Sequence, residues 1–69
     1  MIIIKFNGDI ATRVQVGCLN IAEQFCEWAS GAGYQFDVYE SEPIKHDEGE
    51  RVRVEQIIRE YEQWLQNSK

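Results

Sequence analysis

The chain has 69 residues, among them 12 acids, 7 bases, one histidine, two cysteines and one proline, and carries a net charge of −5. That length suits one domain spanning residues 1–69, because a divided chain would leave each part too little apolar surface to bury. A composition 43% hydrophobic and 28% charged suits a folded globule. The longest apolar run, Met1 to Ile4, falls far short of the ~20 residues of a membrane-spanning helix. No cationic segment precedes it, which argues against a secretory signal.

The first sixteen residues, MIIIKFNGDIATRVQV, are β-rich runs around Asn7-Gly8, the strongest short-range hairpin signal. A two-residue loop would set Ile2, Ile4 and Phe6 on the same face as Asp9 and Arg13. An odd-length loop keeps Ile2, Ile4, Phe6, Ile10, Thr12, Val14 and Val16 together. Because a one-residue slip exchanges the two faces, the odd loop is expected. A three-residue loop Phe6-Asn7-Gly8, with Gly8 as a left-handed bulge, places Lys5 opposite Asp9.

After Gly17, Asn20-Ile21-Ala22-Glu23 has capping-box spacing, with Asn20 as N-cap. Ile21, Ala22, Phe25, Cys26, Trp28 and Ala29 then share one helical face, and Gly31-Ala32-Gly33 stops the helix. Tyr34, Phe36 and Val38 alternate with Gln35, Asp37 and Tyr39, as in a strand buried on one side. Ser41 to Asp47 is a loop. Asp47-x-x-Glu50 repeats the capping-box spacing before a last helix to about Asn67. Its apolar stripe is Val54, Ile57, Ile58, Tyr61, Trp64 and Leu65. Val52 lies off that stripe, so it is either exposed or part of a short strand over 51–54; helix is favoured.

The predicted order is ββαβα. A right-handed crossover through the first helix makes the second and third strands parallel. The fold class is α+β: a small two-layer domain with a three-stranded, mainly antiparallel sheet of order 2-1-3 and both helices on one face.

Cys18 and Cys26 are eight apart; on one helix their Cα atoms would be ~12 Å apart, too far for a disulfide. Both read as small core fillers, and free thiols point to a cytoplasmic setting. Catalytic chemistry is poorly supplied. His46 is the lone histidine, and no spacing places a base and an orienting group beside either cysteine. Glu23 and Glu27, four apart, read as a solvated pair rather than an acid–base couple. His46 with Asp47, Glu48 and Glu50 lacks the paired spacings of a zinc site and the ligand ladder of a calcium loop. No glycine-rich phosphate loop opens a helix. The acidic balance argues against direct binding to nucleic acid or to membrane surfaces. No enzyme, cofactor or metal is expected.

The charge is localised. Residues 37 to 50 hold Asp37, Glu40, Glu42, Asp47, Glu48 and Glu50 against Lys45 alone, which equals the whole net charge of −5. Fourteen extended residues span at most ~46–50 Å, so the acids average ~8 Å apart, against ~3.4 Å between phosphates along one DNA strand. Such a segment imitates nucleic acid poorly and suits discrete contacts with a basic protein. The expected binding residues are Tyr39 as an anchor, with Asp37, Glu40, Glu42, Asp47 and Glu48 steering and pairing with arginine or lysine. The competing reading of these acids is ordinary: solvated strand-end residues, and first-turn helix acids that complement the dipole.

The expected function is therefore a small acidic inhibitor or regulator that binds a larger protein with a basic surface. Such partners often handle nucleic acids. On size and charge alone, this suggests a phage-type anti-defence inhibitor, such as an anti-CRISPR, or an antitoxin. The alternative is a structural subunit that forms a homodimer or larger oligomer through its sheet edge and Trp64, its acids serving only solubility.

Overall fold

The computed structural model describes residues 1–8 and 10–67. In chain order these form β1 (Ile2–Asn7), β2 (Thr12–Val16), α1 (Leu19–Gly31), β3 (Gln35–Glu40) and α2 (Glu48–Asn67). The sheet order is β2-β1-β3, and β1 is antiparallel to both neighbours. The outer strands consequently run parallel to each other. This is the α+β arrangement that the hydrophobic pattern predicts.

The register pairs Ile2 with Val16, Ile4 with Val14 and Phe6 with Thr12. Even residues therefore share a face, as the odd-loop reading requires. The loop itself differs: five residues, 7–11, separate the last pair, Phe6 and Thr12. Phe6 stays in the strand because its ring is needed in the core, where it packs on Phe25, Tyr34 and Phe36 with centroids 5.3–6.0 Å away. Lys5 faces Arg13 and Asp37 rather than Asp9, and Asp9 lies outside the described residues. Ile10 turns out to solvent, 61% exposed. Gly8 is no left-handed bulge; among the described residues only Gly33 has a positive φ.

Both helices cover the even face. Ile4, Phe6, Val14 and Val16 meet Ala22, Phe25, Trp28 and Ala29 of α1 and Val54 and Tyr61 of α2 in one core. Much of that core is aromatic: the Phe25 ring lies tilted at 4.5 Å from Tyr61 and edge-on at 5.3 Å from Trp28. The Tyr61 hydroxyl, buried at its ring end, donates to Gln24 Oε1 at 3.1 Å. This satisfies the one polar group that the ring carries into the core.

Helix α1 starts earlier than its sequence suggests. Its N-cap is Cys18, extended and without a side-chain cap, and the Ala22 N–H donates to the Cys18 carbonyl at 3.0 Å. Asn20 is thus inside the first turn, and Cys18 is exposed rather than a core filler. The helix begins two residues after Gly17, which puts its N-cap two residues ahead of the polar signal at Asn20. Ile21 is correspondingly 48% exposed. The helix ends as its glycines predict. Gly33, at φ +85, lets the Tyr34 N–H reach the Ala29 carbonyl (3.0 Å) and its own N–H reach Ser30 (3.2 Å). That pair of bonds is a Schellman motif, and the Tyr34 ring closes it against Trp28 at 5.5 Å.

The odd face is not open to solvent at its centre, because Ile3 is fully buried there. The chain leaves β3 beside Met1, where the Ser41 N–H donates to the Met1 carbonyl at 2.9 Å. By Ile44 it is held by Gln15 of β2, whose side-chain amide both donates to the Ile44 carbonyl and accepts from its N–H. Residues 41–44 therefore strap across β1 from one sheet edge to the other. In α2, Val52 is helical and 52% exposed. No helix among the described residues is long and apolar enough to cross a membrane.

Candidate functional site

The strap divides the expected binding residues into two groups. Asp37, Tyr39, Glu40 and Glu42 lie along β3 and just beyond it. Asp47 and Glu48 stand where α2 begins, with Asp47 close enough to Arg13 of β2 to act on its charge. Two strand spacings, ~10 Å, separate these edges. A continuous acidic run in sequence is thus two acidic edges in space.

The acids also differ in what they do. Asp47 is the N-cap of α2, accepting the Glu50 N–H at 2.7 Å, so half of the predicted capping box forms. The other half does not. Instead of returning to the cap, the Glu50 side chain is buried, 5% exposed, and turns to β2. There it takes two hydrogen bonds from the Arg13 guanidinium, at 2.9 and 3.0 Å, and a third from the Arg13 backbone N–H at 3.2 Å. These bonds, helped by the nearby charges of Arg13 and His46, hold its carboxyl below the usual glutamate range, against the opposing effect of burial. The same carboxylate raises the Arg13 pKa, with smaller contributions from Tyr39 and Asp47. His46 completes the closure, donating through Nε2 to the Arg13 carbonyl at 2.7 Å. The outer edge of β2 is thereby covered at Arg13 on both its N–H and its C=O. Glu50 and His46 serve the architecture.

On β3 the acids are free for other work. Asp37 accepts a hydrogen bond from Asn7 Nδ2 at 3.1 Å and lies in register beside Lys5. Glu40, Glu42 and Glu48 are exposed, and none takes part in the ion pair found among the described residues, Arg13–Glu50. Tyr39 is 41% exposed on the face opposite the helices, and Val38 is 50% exposed on the helix face. Val38 is a feature that alternation alone misplaces. Neither helix extends over the outer half of β3, so a residue on the core face of the strand reaches solvent.

Burial pushes the Cys26 thiol pKa up, the opposite of activation as a nucleophile. No group of three or more histidine, cysteine, aspartate or glutamate residues is placed to hold a metal among the described residues. Comparison with protein-family models, with curated proteins and with solved structures finds no match to this chain.

Proposed function

We propose that the chain is a non-enzymatic protein-binding protein, an inhibitor or regulator whose β3 edge docks on a basic surface of a larger partner. The observation that carries this reading is the state of the acids on β3. From Gln35 to Ile44 there is no base, and Glu40 and Glu42 are exposed beside exposed Tyr39, with no ion-pair partner among the described residues. Carboxylates in that state steer and pair with arginine or lysine, and a neighbouring tyrosine supplies contact area at low entropic cost. Asp37 contributes from the same strand; Asp47 and Glu48 contribute long-range attraction from the other edge. Proteins that handle nucleic acids carry basic surfaces of this kind, which makes an anti-defence inhibitor or an antitoxin the functional class. Both cysteines are free, which fits a reducing cytoplasm.

The test is affinity capture from native cytosol at low and at high salt, using the wild-type chain and the double variant Glu40→Lys/Glu42→Lys. The expected result is a partner retained at low salt, weakened at high salt, and lost with the double variant. A partner held equally in all of these conditions would sink the electrostatic reading.

A further inference from the structure

The two edges of the sheet are not equivalent. Odd residues of β1 face odd residues of β3 in the register, and Met1 and Ser41 continue it by exchanging both of their hydrogen bonds, at 2.8 and 2.9 Å. In an antiparallel ladder such exchanging pairs alternate with pairs whose N–H and C=O point away. Gln35, Asp37 and Tyr39 therefore bond inward to β1, while Phe36, Val38 and Glu40 turn their N–H and C=O outward. No other segment among the described residues meets those outward groups. The corresponding groups of Arg13 on β2 are closed by Glu50 and His46. The β2 edge is closed at Arg13, and among the described residues the β3 edge has no such closure.

The open edge has two chemically distinct sides. On the helix side lies half-exposed Val38. Helix α1 turns Gln24 and Trp28 toward Tyr61 of α2, so helical geometry places Leu19 and Cys26 on its opposite flank, toward β3. Leu19 is 63% exposed. The other side carries Asp37 and Tyr39; Glu40, the last residue of the strand, shares the helix side with Val38, and Glu42 lies two residues beyond it.

We infer that β3 receives an extended segment of the partner by strand addition, a segment that alternates apolar and basic residues. Its backbone pairs with Phe36, Val38 and Glu40; its apolar side chains lie against Val38 and Leu19; its lysines or arginines lie beside Asp37 and Tyr39. Main-chain pairing gives the affinity in this mode, and alternate side chains give the specificity. A second copy of this chain is the poorer occupant on charge. With Val38 opposite its counterpart, self-pairing gathers Asp37, Glu40 and Glu42 of both chains into one strip that contains no base. Shifting the register sets Asp37 against Asp37, and like charges directly opposed are destabilising.

This mode deepens the acidic-docking reading and rests on it. The probe is a synthetic peptide alternating valine and lysine, compared with the same composition arranged in two blocks, and the readout is residue-resolved amide hydrogen exchange. With nine-tenths of the protein bound, exchange at Phe36, Val38 and Glu40 slows about tenfold, and the block peptide leaves it unchanged. Val38→Pro removes an N–H that β1 does not use, so it abolishes binding of the alternating peptide while the far-ultraviolet circular dichroism stays native. Glu40→Pro does the same at the end of the strand and serves if Val38→Pro does not fold. Protection elsewhere, or equal protection by the block peptide, overturns the inference. So does the same protection without peptide in a chain that sediments as a dimer, since a second copy then fills the edge. Partner capture that depends on Glu40 and Glu42 but survives both proline variants overturns strand addition alone and leaves acidic docking standing.

Discussion

Glu50 shows how one side chain can be read in two ways. Among the acids it looks like a first-turn residue facing water; in the fold it is buried and accepts three hydrogen bonds from Arg13. Its carboxyl titrates below the ordinary value because of those bonds. A group whose folded pKa is lowered adds stability above its unfolded pKa, and that stability is lost as the pH falls through the folded value. Chemical denaturation followed from neutral pH into the acid range will therefore show a loss of stability below the ordinary glutamate value, and Glu50→Gln will flatten it. Arg13→Met removes two of the three bonds and leaves the backbone N–H of residue 13, so the carboxyl pKa rises from its wild-type position and the acid-range loss of stability shrinks. At neutral pH the partly satisfied carboxylate costs roughly 1–3 kcal/mol. A pH profile that keeps the wild-type slope in Arg13→Met would contradict this account.

At the scale of elements, the two helix boundaries that depend on a specific backbone or cap make the clearest predictions. Gly33 has open space around its Cα but a φ of +85, so Gly33→Ala meets no neighbour and is penalised only by its backbone, by about 1–2 kcal/mol. Gly31, also in open space but helical, serves as the control: Gly31→Ala gains about 0.5–1 kcal/mol. Thermal unfolding should separate the two in sign. Asp47→Ala removes the cap from α2 and is expected to cost about 1 kcal/mol, read in the same melts. The start of α1 has no such handle, since Cys18 makes no side-chain cap bond. That absence is why the polar signal at Asn20 points two residues too late.

For the whole molecule, the important property is the unequal closure of the sheet. The segment that closes β2 is the same 41–50 stretch that carries much of the negative charge, so one piece of chain both seals an edge and supplies an acidic surface. Because Glu40 and Glu42 are exposed and make no ion pair among the described residues, reversing both to lysine should change folding stability by no more than about 0.5 kcal/mol each. Urea titration will check this, and a much larger loss would mean that these acids hold the fold rather than face a partner. Small size raises the significance of these differences, since a core this small supplies only ~3–5 kcal/mol.

Strand order, the even-numbered core face, the glycine stop of α1 and the stripe of α2 were all legible in the sequence, because each follows from a local period or a turn residue. The acidic segment was legible too, but only as a count. Which acids face solvent was decided by tertiary structure. Pairing Glu50 with Arg13 and Ile44 with Gln15 brings together residues 29 to 37 apart in the chain, and no periodicity links positions at such separations. The exposure of Val38 has the same origin: alternation assigns it to the core face, but only the placement of the helices determines how far that face is covered. The net charge was a property of the sequence; its division into a cap, a buried carboxylate paired with a half-exposed arginine, and an open acidic edge belongs to the fold.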